Sequence, residues 1–93
     1  MLEVIQAEYV EGYKLKVSFS SGERGVVDLA DALWGPVFAP LRNLAQFQRF
    51  YLSPVLHTIA WENEADFAPE YLRARMLEQA NASARRAPAS VGT

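Results

Sequence analysis

Cysteine is absent from this 93-residue chain and histidine occurs once, at His57. The first absence excludes disulfide frameworks, thiolate zinc sites and a cysteine nucleophile, while a lone imidazole makes a poor transition-metal site. No apolar run approaches the roughly 18 residues that would cross a bilayer. Met1-Leu2-Glu3-Val4 lacks the basic-then-apolar order of a signal peptide, so the cytoplasm is the expected location. Neither a Walker loop nor a G-x-G-x-x-G occurs, which leaves nucleotide phosphates without a cradle. No cofactor is expected.

What is present suits one small folded domain. The chain is 51% hydrophobic and 22% charged, ordinary values for a globular protein and unlike those of a disordered one. A chain of this length buries only about 60–65% of its extended surface, so a large enclosed active site is not expected. Charge is unevenly spread. Residues 1–70 carry five basic side chains against ten acidic ones, whereas residues 71–93 carry Arg73, Arg75, Arg85 and Arg86 against Glu78 alone. Such asymmetry can mark a tail that meets nucleic acid or an acidic surface. Without interleaved aromatics, a solvated helix face running into a frayed tail is the plainer reading.

Periodicity then orders the elements. Tyr13 to Phe19 alternates apolar and polar throughout, placing Tyr13, Leu15, Val17 and Phe19 on one face and the lysines on the other. Val4 to Tyr9 is its expected partner through the Glu11-Gly12 turn, and Arg24 to Leu29 follows Ser20-Ser21-Gly22 as a third strand. Ala30 to Trp34 can be no more than a helical turn before Gly35-Pro36. Leu41, Leu44, Phe47 and Tyr51 recur at helical spacing, which predicts a short helix over Leu41–Phe50 packed on the sheet. Phe50–Leu52 and His57–Trp61 read as a hairpin around Ser53-Pro54, with His57, Ile59 and Trp61 on one face. A second helix starts near Pro69, whose missing N–H costs nothing in a first turn. Asp66 and Glu70 lie at its positive end, with Arg73 and Arg75 a turn later. The fold expected is α+β, an antiparallel meander of about five strands in the order β-β-β-α-β-β-α. Residues 1–80 form its single domain, and 81–93 form a disordered basic tail punctuated by Pro88 and Gly92.

These elements carry a resemblance. Phe19-Ser20-Ser21-Gly22, Asp28-Leu29, Phe38-Ala39-Pro40-Leu41 and the block from Thr58-Ile59-Ala60-Trp61-Glu62-Asn63-Glu64-Ala65-Asp66 to Pro69-Glu70-Tyr71-Leu72 resemble the bacterial domain-of-unknown-function family 2442. The likeness covers roughly residues 4–73 and is most specific in its last block. It implies an α+β fold and no established activity. It also implies proteins that lie beside another short protein or are fused to helix-turn-helix domains, hence a regulatory or toxin–antitoxin-like role. The chain departs from the family at Glu64, where glycine is usual. Asn63 is then the residue expected to take the left-handed conformation of the turn.

Candidate chemistry is thin. Glu62, Glu64, Asp66 and Glu70 offer carboxylates of the kind that suit magnesium or calcium, but their spacing matches no metal loop. The plainer reading makes Asn63, Asp66, Pro69 and Glu70 a structural turn and helix cap. His57 as a general base would need a nucleophile such as Ser53 or Thr58, which no motif supports. Most of the eleven aromatic residues must be core, with Trp34 as the exception, since it sits next to Gly35-Pro36 on a loop, running to Phe38, where periodicity does not dictate burial. Tryptophan is enriched among interface anchors, so Trp34 and Phe38 form the candidate protein interface. The expected function is a non-enzymatic, cytoplasmic protein-interaction or regulatory module, in the form of the antitoxin-like member of a two-gene pair, with a small protein as partner. A homodimer is expected through the first strand, where Val4, Ile5 and Tyr9 leave a weakly protected edge. The alternatives are a DNA-binding accessory using the arginine-bearing C-terminal helix and tail, and a small metal-dependent hydrolase.

Overall fold

The alternation over residues 13–19 sets the frame of the computed structural model, which describes the backbone of residues 1–91 and the side chains of residues 1–82. Strands β1 (Val4–Glu11), β2 (Lys14–Phe19) and β3 (Arg24–Asp28) form an antiparallel sheet in the order β1-β2-β3. Leu15, Val17 and Phe19 are buried on one face while Lys16 is exposed on the other, as a period of two requires.

Strands β4 (Tyr51–Ser53) and β5 (Thr58–Ala60) form a hairpin of their own. The five antiparallel strands of the α+β reading are thus present, divided into a three-stranded and a two-stranded sheet. His57 lies in the turn between β4 and β5. This residue adopts a left-handed φ of 57° in the hairpin turn and is exposed, so it does not share a strand face with Ile59 and Trp61 as the sequence suggested. Its carbonyl accepts the Val4 N–H at 2.9 Å, which joins the hairpin to β1 at that strand's first residue.

The helix expected over Leu41–Phe50 is broken into a 3₁₀ turn, Ala39–Arg42, and a single α-helical turn α1, Leu44–Phe47. Asn43 separates them. Its backbone is extended and its side-chain oxygen accepts from the Gln46 N–H, so it caps α1 instead of continuing the first turn. Phe47 carries the burial of this segment, with Tyr13 edge-on at 5.2 Å and Trp61 at 5.7 Å between ring centroids.

Helix α2 spans Pro69–Val91. Its first turn is set by the Leu72 N–H bonding the Ala68 carbonyl, with Pro69 inside the start where its missing N–H is harmless. Leu72 and Met76 are buried against the sheet. Met76 passes so close to β3 that a Cβ on Gly25 would stand 3.0 Å from its sulfur, which explains a glycine in mid-strand. Two polar ties hold the helix there: Arg73 grips Glu23 through Nε and Nη2, and the Gln79 carboxamide accepts the Asp28 N–H and donates to the Asp28 carbonyl, each at 2.9 Å. The latter pairing covers one end of the β3 edge as a neighbouring strand would. Side chains past Ala82, and residues 92–93 altogether, lie outside the described residues, so the side chains of the basic tail expected over 81–93 fall largely there, while its backbone as far as Val91 belongs to α2. No helix among the described residues is long and apolar enough to cross a membrane.

Candidate functional site

Leu33 and Trp34 are neighbours with opposite fates. Leu33 is 1% exposed and Trp34 is 70% exposed, because the 3₁₀ turn Ala30–Ala32 ends between core and solvent and Gly35, at φ 88°, swings the chain away. The loop that follows is pinned at several points. The Leu33 carbonyl accepts from Arg42 Nε at 2.5 Å, the Gly35 carbonyl from the Ala39 N–H at 2.8 Å, and the Val37 carbonyl from Asn63 Nδ2 at 2.9 Å. Trp34 therefore stands out from a fixed backbone.

Beside it runs a column of aromatic rings. Phe38 stacks on Phe67 at 4.7 Å, Phe67 stacks on Tyr71 at 5.4 Å, and the Arg75 guanidinium lies over the Tyr71 ring at 5.8 Å. Trp34, Phe38, Phe67 and Tyr71, with Ala68 and Asp66, line a groove of about 400 Å³. That volume falls near the low end of the range for binding pockets, roughly 300–1,000 Å³. Phe67 and Tyr71 were not singled out from the sequence as site residues. Their spacing of four, across the start of a helix, was the available signal.

The turn that buttresses the loop corrects one expectation. Glu64, at φ 70°, takes the left-handed position, and Asn63 does not. Asn63 is committed elsewhere, since its Oδ1 accepts the Ala65 N–H at 3.2 Å while its Nδ2 reaches Val37. Trp61 and Ala65 close the turn through a 2.9 Å backbone bond. Asp66 follows in an isolated bridge with Ala60 and stands exposed on the groove wall, and Pro69 and Glu70 lie in the first turn of α2.

The other candidates do not converge. Among the described residues, no three His, Asp or Glu side chains are grouped to hold a metal ion, so Glu62, Glu64, Asp66 and Glu70 form no ligand set. His57 Nδ1 lies 3.9 Å from a Glu3 carboxylate oxygen. The hydroxyls that could have served it are engaged: Ser53 Oγ accepts the Leu56 N–H at 3.0 Å, and Thr58 Oγ1 donates to the Phe67 carbonyl at 2.5 Å. Arg73 is paired with Glu23, and its guanidinium, aided by Ser21, holds the Glu23 carboxyl below its ordinary value, while Glu23 in turn raises Arg73. Arg75 approaches the Asp28 carbonyl at 3.4 Å and Asp31 at 4.0 Å, and its buried Nε finds no acceptor among the described residues.

These features define a small α+β domain with an exposed aromatic groove. The chain belongs to the family described as protein of unknown function DUF2442, which it matches over residues 4–77. No curated protein matches it. A solved structure from Nitrosomonas europaea ATCC 19718, of a protein provisionally named as DNA binding, superposes with a TM-score of 0.74 and 26% identity over 87% of this chain. The chain spans 52% of that protein, about half its length.

Proposed function

We propose that this domain is a non-enzymatic protein-interaction or regulatory module of the cytoplasm that seats a small protein partner on the Trp34 and Phe38 groove. The observation that carries this reading is a tryptophan 70% exposed on a backbone held by three hydrogen bonds. A large apolar side chain so placed contributes little to the core, and its exposure in a rigid setting suits an interface anchor. The antitoxin-like role in a two-gene pair is the particular form suggested by the family. The test is affinity capture from the native host with the wild-type chain and with Trp34→Ala, alongside thermal melts of both. A specific protein held by the wild type and lost from a variant of equal melting temperature supports the reading. A variant destabilised by roughly 3–5 kcal/mol, as for a core aromatic, overturns it.

Self-association through β1 belongs to the same proposal, in narrowed form. Val4 is buried and Tyr9 half-buried, so Ile5 and Val10 are the apolar residues this strand exposes. Its edge meets the hairpin at Val4 through the His57 bond. Past that contact, a strand edge without a partner strand pairs readily with another copy.

A second reading, a DNA-binding accessory, draws support from the name given to the N. europaea protein. That name describes a chain about twice the length matched here, so the function can reside in its other half. Arg73 is held by Glu23, and Arg75 is partly buried beside Asp28 and Asp31, which leaves neither free for phosphates. DNA binding that weakens steeply with salt would favour this reading over the first.

A further inference from the structure

We propose that the occupant of the groove is a proline-rich, extended segment of a partner protein, flanked by lysine or arginine. This rests on the reading of the Trp34 groove as a docking surface and names what that surface takes.

Three observations select this chemistry. The groove is built from a loop, the segment before α2 and the first turn of α2, and among the described residues its one β pairing is the isolated Asp66–Ala60 bridge, too short to present an edge to an added strand. A partner therefore cannot add as a strand and must dock by its side chains and its own backbone acceptors. Two of its lining rings end in donors, for Trp34 Nε1 and Tyr71 Oη make no hydrogen bond among the described residues and both side chains are exposed. A helix keeps its carbonyls for itself, whereas a polyproline II chain has no internal hydrogen bonds and offers every carbonyl to such donors. Its stiffness also suits a groove of only about 400 Å³, where few contacts are available to offset the ordering of a flexible chain.

Charge completes the argument. Asp66 on the groove wall and Glu70 beside Tyr71 are exposed and have no basic partner among the described residues, and the same holds for Glu62 and Glu64 on the adjoining turn. A basic residue at the end of the bound segment meets this unanswered negative charge, which steers association and fixes the direction of the chain.

The experiment is selection of binders to the full, immobilised chain from a displayed library of random twelve-residue peptides, followed by titration of synthetic winners against wild type, Trp34→Ala, Tyr71→Phe and Asp66→Asn. Winners rich in spaced prolines with flanking Lys or Arg are expected. Their affinity should fall roughly 30-fold with Trp34→Ala, the equivalent of about 2 kcal/mol for an anchor. It should fall several-fold with Tyr71→Phe, which removes a donor alone, and with Asp66→Asn. Melting curves within a degree or two of wild type confirm that each variant is folded. Winners that depend on Trp34 yet lack proline, or turn helical on binding, overturn the proposed occupant and leave the groove standing. A library that yields no winners, or winners indifferent to Trp34, overturns the groove itself.

Discussion

Asn63 donates through Nδ2 to the carbonyl of Val37 at 2.9 Å, tying the turn before α2 to a loop 26 residues earlier. With Oδ1 on the Ala65 N–H, one side chain fixes both the turn and the loop that presents Trp34. Asn63→Ala should cost about 1–2 kcal/mol, the usual worth of such bonds when a partner is left behind. Amide exchange should then quicken selectively over residues 34–38. A variant with unchanged exchange there would show that the Arg42 and Ala39 bonds suffice to hold the loop.

Glu64 adopts a φ of 70° where the family usually has glycine. A side chain in this conformation is strained, and glycine is not. Glu64→Gly should stabilise the domain by about 0.5–1 kcal/mol, even after the added freedom of the unfolded chain. For a domain of this size that is a rise of roughly 2–8 °C in Tm. Glu64→Ala should give no such gain, since it keeps the Cβ.

The same turn shows where sequence reasoning reached and where it stopped. Strand alternation is a backbone property, so Tyr13 to Phe19 could be assigned to faces from spacing alone, and Leu15, Val17 and Phe19 are indeed buried. The start of α2 at Pro69 was legible for a similar reason, because proline has few places to go. The helix at 41–50 was misjudged because apolar spacing says nothing about Asn43, whose side chain competes for the Gln46 N–H. The left-handed residue was misassigned because Asn63 is drawn to Val37, a contact that only the folded chain creates. The aromatic column was invisible as a unit for the same cause, since Phe38 and Phe67 meet through tertiary packing.

Glu23 and Arg73 give the domain a pH dependence of known sign. Arg73 holds the folded-state Glu23 carboxyl below its ordinary value near 4.5, so the folded protein binds this proton less readily than the unfolded chain. The pair's contribution is present above the unfolded-state pKa and is lost as pH falls through the lower folded-state pKa. Both side chains are partly exposed, so the effect is small. Glu23→Gln should melt below wild type at pH 7, and the gap should close on acidification. A gap that is constant down to pH 3 would mean that the carboxylate charge plays no part.

Removal of residues 85–93 should leave Tm unchanged. The segment reads Arg-Arg-Ala-Pro-Ala-Ser-Val-Gly-Thr, which supplies no apolar stripe, and Pro88 cannot donate the helical i→i−4 bond. Calorimetry of the truncated chain decides it. A loss of several degrees would mean that this stretch docks on the body of the domain or across a dimer.

The two tryptophans offer an internal comparison. Trp61 is 2% exposed, and its Nε1 donates to the Phe47 carbonyl at 2.9 Å, so its ring is enclosed and its polar atom satisfied. Trp34 shares none of these constraints. In Trp34→Phe the remaining emission, from Trp61, should be blue-shifted and shielded from iodide or acrylamide. In Trp61→Phe the emission from Trp34 should be red-shifted and freely quenched, provided that a circular dichroism spectrum shows the fold retained after loss of the Phe47 bond. Should the purified Trp61→Phe chain instead give a blue-shifted, unquenchable signal at concentrations where sedimentation finds a monomer, Trp34 is packed against its own domain, and it cannot serve as an anchor for a partner.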